Sequence, residues 1–326
     1  MKKAITITFI GLLLTIFVSP PAVARDLQTV KIVIPRGTVF PMSYFGAKDA
    51  GIFRIYGFDV QIDVRPFRGY IPSLPARETL VTSYPGLSAI VRINQGMDLV
   101  VIGGGLTVMQ EVFVPIDSPL KSIPELRGKR FGIWSSGAGS VKSMRAAVVD
   151  AFGLDLFKDT TIIEAPPPAL MGLVGKGEVD AFMNVSSMTI RALARPDKYR
   201  SIFSPNDYWK RKTGFPVVWS APLVAWREWV QEDPERAKNL VAAVHESFTW
   251  LRQNADVAIG KYGKLAGVKT PAEANIYKRY LQQNRILLTR WDSKVVDAEW
   301  QFLEVAKKVG VLKKVPPKEK HALILR

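Results

Sequence analysis

The residues of this chain with chemical potential are hydroxyls, turn glycines and one arginine, set where extended runs lead into helical ones. Trp134-Ser135-Ser136-Gly137-Ala138-Gly139-Ser140 follows the extended run Arg130 to Ile133 and opens a helical stretch. In open α/β sheets, ligands sit beyond the carboxyl ends of strands, where helix N-termini present unpaired amides and a positive dipole end. Ser135, Ser136 and Gly137 therefore offer hydroxyls and accessible backbone to an anion, although the same residues would also serve as a plain turn and cap. Arg36, Gly37 and Thr38 hold the equivalent place after the first extended run. Arg36 can pair bidentately with a carboxylate, sulfonate or phosphate, or stay solvated. The same rule nominates Ser83, Tyr84 and Gly86, then Gly104, Gly105 and Thr107, then Asn184 and Ser186, each against ordinary turn chemistry. Phe215 and Trp219 could wall a cleft around an aromatic ligand or belong to the core.

Means for catalysis are few. The cysteine count of 0 removes thiolate nucleophiles, disulfides and Cys-ligated zinc. His245 and His321 are the 2 histidines and lie far apart in sequence, which argues against a His-based triad or a multi-His metal site. Glu178 and Asp180 have the spacing of a solvated turn rather than of an acid/base pair, and His245 sits among Val244, Phe248 and Leu251 at a core edge. Neither G-x-G-x-x-G nor G-x-x-x-x-G-K-[ST] occurs at residues 134–140. The expectation is a protein that is not an enzyme and uses no cofactor and no metal.

Lys+Arg 45 against Asp+Glu 29 gives a formal charge of +16. Such a field concentrates anions, or reflects a solvated basic surface with no specific partner. The basic residues occur singly or in short runs such as Lys210-Arg211-Lys212, without the aromatic interleaving of nucleic-acid modules, so no nucleic acid is expected as partner.

Short β-branched runs at Val30–Ile34, Phe58–Val64, Thr79–Ser83, Leu99–Ile102, Arg130–Ile133, Thr161–Glu164 and Val179–Asn184 alternate with helical stretches at Met42–Ala50, Tyr84–Asn94, Ser140–Phe152, Pro168–Gly175 and Ser186–Ala194. That alternation predicts an α/β fold with largely parallel sheets. After Trp226 the chain turns helical, with helix starts signalled at Asp233-Pro234-Glu235 and by a capping box at Thr270-Pro271-Ala272-Glu273. Proline-marked passages at Val114–Pro119 and Val217–Pro222 read as crossings between two lobes. They divide the chain into a discontinuous lobe I, residues 25–115 plus 220–326, and a lobe II, residues 116–219. Before both, Lys2 and Lys3 precede an apolar run from Ala4 to Val18, and Ala22-Val23-Ala24 offers a cleavage site. The run is roughly 15 residues, short of the ~20 a membrane-spanning helix needs, so residues 1–24 read as a signal peptide and the mature chain as periplasmic.

Several segments carry a family resemblance: Val30-Lys31-Ile32-Val33-Ile34-Pro35; Tyr44-Phe45-Gly46-Ala47-Lys48-Asp49-Ala50-Gly51-Ile52-Phe53; Tyr56-Gly57-Phe58-Asp59-Val60; Asp117-Ser118-Pro119-Leu120-Lys121-Ser122-Ile123-Pro124-Glu125-Leu126-Arg127-Gly128-Lys129-Arg130; and Gly177-Glu178-Val179-Asp180-Ala181. Taken in order they resemble the nitrate/taurine/aliphatic-sulfonate substrate-binding proteins of ABC transporters. Where that family usually has an Asp before the third strand's turn, this chain reads Arg77-Glu78-Thr79-Leu80-Val81-Thr82-Ser83-Tyr84-Pro85. The resemblance implies a two-lobed type II periplasmic binding protein, a Venus flytrap. It further implies a small ligand, here expected to be anionic, a membrane permease and ATPase as partners, and a monomer. Thiamine-pyrimidine-synthase-like and menaquinone-pathway-like enzymes share the likeness and form the catalytic alternative; a ligand sensor without transport is the third.

Overall fold

Val30, Ile32, Val33 and Ile34 are buried in the strand β1 (Gln28–Pro35), which pairs in parallel with β2 (Phe58–Arg65) from Gln28 opposite Phe58 to Pro35 opposite Arg65. The computed structural model describes residues 26–325; the expected signal peptide, residues 1–24, lies outside the described residues. Between these strands run α1 (Phe40–Asp49) and the short α2 (Ile52–Ile55), and after them α3 (Phe67–Tyr70), β3 (Val81–Ser83), α4 (Gly86–Asn94) and β4 (Leu99–Leu106). Thr79 and Thr82 donate through their hydroxyls to the carbonyls of Lys31 (2.7 Å) and Val33 (2.6 Å), joining β3 to β1 across the gap between two sheets.

The chain then builds a third, five-stranded sheet from β5 (Val112–Pro115), β6 (Arg130–Ile133), β7 (Thr161–Glu164), β8 (Ala181–Phe182) and β9 (Tyr199–Phe203), in the order β7-β6-β8-β5-β9. Its helices are α5 (Gly139–Phe152), α6 (Leu156–Asp159), α7 (Pro167–Gly175), α8 (Ser186–Leu193) and α9 (Pro205–Thr213). The β6 pairings with β7 and β8 are parallel, whereas β5 runs antiparallel to β8 and β9. Residues 112–115, expected in lobe I, pair with β8 and β9 in the five-stranded sheet. Pro115 is the last residue of the strand, a position where its missing amide hydrogen is tolerated.

The return passage leads into β10 (Ala221–Trp226), which lies antiparallel between β3 and β4 in the first lobe. All eight residues of β4 are buried, including Gly103, Gly104 and Gly105. A Cβ at Gly104 would lie 2.3 Å from the Leu288 carbonyl oxygen, and one at Gly105 2.1 Å from that of Ala221. Glycine is therefore required there by backbone approach.

The helical remainder comprises α10 (Arg227–Glu232), α11 (Pro234–Gln253), α12 (Ala255–Ala266), α13 (Pro271–Gln282), α14 (Ser293–Lys308) and α15 (Lys318–His321). Asp233 caps α11 through the Arg236 amide (2.8 Å), and Thr270 caps α13 through the Glu273 amide (3.2 Å). Both α11 and α12 pack on α1, where Gly46 makes room for the Trp250 ring. Helix α14 reaches across to α5, and Phe302 meets Trp209 of α9 edge-on at 5.1 Å, so the main core runs through both lobes. Among the described residues, no helix is long and apolar enough to cross a membrane.

Candidate functional site

The turns that end β1 and β3 face those that end β6 and β8. A Cβ at Gly37 would meet Ser187 Oγ at 3.9 Å, and one at Gly139 would meet the Pro85 side chain at 4.0 Å. On the flank, Gly267 approaches so closely that an added Cβ would stand 2.8 Å from the Ser187 Cβ. Four helices, α1 and α4 from one lobe and α5 and α8 from the other, thus start along one seam, and first-turn amides have no intrahelical acceptors.

The two crossings that join the lobes are sewn together. Val108 donates its amide to the Val217 carbonyl at 2.7 Å. Asn206 gives its Nδ2 to Thr107 Oγ1 (2.9 Å) and accepts the Val217 amide on Oδ1 (3.1 Å), while Thr107 donates to the Arg285 carbonyl at 2.6 Å. Two buried carboxyls brace these strands. Glu111 accepts from Tyr280 Oη (2.8 Å) and Arg285 Nη2 (3.3 Å), and burial holds its pKa above the usual carboxylate range. Glu299 has 0% exposure, receives the Val218 amide at 3.1 and 3.2 Å, and burial pushes its pKa well above that range.

Of the residues nominated from sequence, Arg36 is exposed at its turn. Gly37 has a left-handed φ of 78° and donates its amide to the Leu265 carbonyl at 2.8 Å, tying the turn to α12. Thr38 is buried and donates to the Pro35 carbonyl at 3.0 Å. Ser83 and Tyr84 are buried in a tyrosine cluster. Ser83 Oγ shares a 3.0 Å hydrogen bond with Tyr44 Oη, and the Ser83 carbonyl accepts from Tyr70. Tyr84 donates to the Ile71 carbonyl (2.8 Å) and accepts from Arg92 Nε (2.9 Å). Both hydroxyls are paired inside the protein. Gly105 and Thr107 likewise belong to the strand packing and the crossing described above.

On the facing lobe Ser135 is half-buried, while Ser136 and Gly137 are exposed. The Ser136 amide donates to Glu164 at 2.9 Å, so that amide is spent on a carboxylate of the chain itself. Asn184 is buried, gives Nδ2 to the Pro167 carbonyl (3.0 Å) and accepts the Val185 amide (2.9 Å), which makes it a brace for the β8 turn rather than an open donor. Ser186 is 5% exposed and accepts from Gln110 Nε2 at 3.1 Å. Phe215 lies under the Arg290 guanidinium at 5.3 Å on the second crossing, and Trp219 is core, donating to the Glu299 carbonyl at 3.0 Å.

Sequence reasoning missed Gln110, Ser187, Arg191 and Glu273. Arg191 of α8 donates its Nε to Glu273 Oε1 at 2.8 Å, an ion pair between the lobes. Glu273 is the capping-box carboxylate of α13; its other oxygen accepts the Lys269 amide at 2.7 Å. The capping box was legible, its second employment was not, because nothing in sequence relates Thr270-Pro271-Ala272-Glu273 to α8. The groups set aside as acid/base candidates are structural: Asp180 is held by Arg130 at 2.6 Å, which keeps its pKa low. His245 packs by Gly103 of β4 with its Nε2 enclosed and unpaired, and burial pushes its pKa down to about 4.

Comparison with known proteins bears on this geometry. No curated protein sequence matches the chain. Among solved structures, the periplasmic aliphatic sulphonate binding protein SsuA from Escherichia coli superposes with a TM-score of 0.73 at 16% identity, covering 92% of this chain and 93% of that one. A putative sulfonate-binding SsuA from Methylobacillus flagellatus KT gives 0.70 at 18%, covering 92% of each chain. The desulfurization enzyme DSZB also matches, at 0.59 and 15%, covering 91% of this chain and 96% of that one. These likenesses establish a mixed α/β, periplasmic-binding-protein-like fold. A match to the NMT1/THI5-like family spans residues 42–258, more than half of the sequence, and the chain belongs to that family.

Proposed function

We propose that this protein is the solute-binding component of an ABC uptake system, exported to the periplasm as a monomer and closing its two lobes on a small anion. The observation that carries this reading is the seam where α1 and α4 start opposite α5 and α8, across two crossings that can act as a hinge. Helix N-termini there supply dipoles and amides to an anionic group without any reactive side chain. Arg36, Ser135, Ser136, Gly137 and Ser186 remain the candidate contacts. Ligand stabilises the closed form by its higher affinity for that form, and a permease with its ATPase then takes the closed complex.

The test is a thermal-shift screen of the mature chain against sulfonates, nitrate and carboxylates. A binder gains RT ln(1 + [L]/Kd), about 2.7 kcal/mol at 100 times Kd. Stabilisation by cations or neutral compounds alone would overturn the anion assignment. The likeness to DSZB favours a second reading, catalysis on the same scaffold. The cysteine count of 0 limits that reading to chemistry without a thiolate, and turnover of a stabilising compound would reveal it.

A further inference from the structure

We infer that Gln110, together with Ser186, reads a hydroxyl or amino substituent on the bound solute and so sets which anions the protein selects. The inference rests on the binding reading above and narrows it from anions in general to anions bearing a second polar group.

Gln110 lies on the first crossing, outside all three sheets, and is 4% exposed. Its Nε2 donates to Ser186 Oγ at 3.1 Å, while its Oε1 is enclosed and has no hydrogen-bond partner. Ser186 is the first residue of α8, and its neighbour Ser187 faces Gly37 and Gly267 of the other lobe. The amide therefore links the first crossing to the end of α8 that meets lobe I.

A buried amide oxygen without a partner in the chain is disfavoured, and each such group calls for a partner from outside it. Turning the amide over does not remove the demand. Ser186 would then donate to the amide oxygen, and the NH2 group would be left without an acceptor. A ligand hydroxyl, both donor and acceptor, satisfies either orientation; a methyl group of similar size satisfies neither. Sites built to bond a ligand hydroxyl reject the analogue that lacks it more strongly than apolar pockets reject an extra one.

Titration calorimetry with pairs that exchange OH for CH3 tests this: isethionate with propanesulfonate, lactate with isobutyrate, and para-hydroxybenzoate with para-toluate. For the pair that binds, the hydroxylated member should be about tenfold tighter on the wild type. Gln110→Leu should bring the ratio to about one, and Ser186→Ala should narrow it. If Gln110 is only a strut between hinge and α8, Gln110→Leu weakens both members alike and the ratio persists, which overturns the inference while leaving the binding reading intact. Equal affinity for both members on the wild type overturns it also. Should Gln110→Leu fail to fold, Gln110→Met and Ser186→Ala carry the same comparison. No binding by any of the six compounds contradicts the anion reading itself, and this inference with it.

Discussion

Removing Arg191 should loosen the closed arrangement of the lobes without unfolding either one. The pair Arg191 Nε to Glu273 Oε1 spans 2.8 Å, with side-chain exposures of 26% and 4%. Breaking a fully buried pair costs about 3–5 kcal/mol, because the surviving charge keeps no partner. Two features reduce that here: Arg191 is a quarter exposed, and Glu273 keeps the Lys269 amide at 2.7 Å. About 2 kcal/mol is therefore expected, and it falls on the closed form alone, since Glu273 regains water when the lobes part. At 1.4 kcal/mol per tenfold, Arg191→Ala should raise the open-to-closed ratio about 30-fold. Hydrogen exchange reads this directly: protection of amides at the seam of α8, α12 and α13 should fall by about that factor while amides of β4 keep theirs. Adding Glu273→Gln to Arg191→Ala should cost little more than Arg191→Ala alone, the signature of one shared contact. Unchanged seam protection, or an equal loss in β4, would refute the latch.

Two further outcomes concern stability. Glu299 is fully buried with its pKa raised by burial, so its contribution is intact below the ordinary value of 4.5 and is lost as pH rises toward the folded value, at up to about 1.4 kcal/mol per pH unit. Glu299→Gln, which keeps an acceptor for the Val218 amide, should be more stable than wild type in urea unfolding at pH 7, with the advantage shrinking toward pH 4; parallel profiles would contradict the assignment. Gly105→Ala forces a Cβ to within 2.1 Å of the Ala221 carbonyl oxygen and should cost about 3 kcal/mol. Gly137→Ala, whose Cβ would meet only Ser135 Oγ at 3.7 Å, should stay within about 0.5 kcal/mol in the same melts, and similar losses at both glycines would refute the distinction.

Local signals carried much of the architecture. Runs such as Arg130–Ile133 and Thr161–Glu164 are strands over the residues that their β-branched character indicates, and Asp233 and Thr270 cap the helices they precede. The misses arise where tertiary pairing decides. Val114–Pro119 read as a crossing because of its two prolines, yet Val112–Pro115 has partners on both sides and is an interior strand. Tyr199–Phe203 has no clean alternation and is a strand because β5 lies beside it. Gly104 and Gly105 looked like a ligand turn, since sequence shows missing side chains and not the carbonyls pressed against them. The site was less legible for a related reason. Residue type gives a hydroxyl or an amide, but its partner is set by packing: the hydroxyls of Ser83, Tyr84 and Thr107 and the amide of Asn184 are consumed inside the protein. Gln110 carries no motif, and its unpaired oxygen becomes visible only once the first crossing is laid against α8.

The central claim, a hinged binder of one small anion, is tested most directly by equilibrium dialysis of the mature chain against the anion that stabilises it most, with the ligand recovered afterwards and identified by mass spectrometry. The account predicts saturation at about one anion per chain and recovery of the anion chemically unchanged. Absence of saturable uptake, or recovery of a converted product, would contradict it.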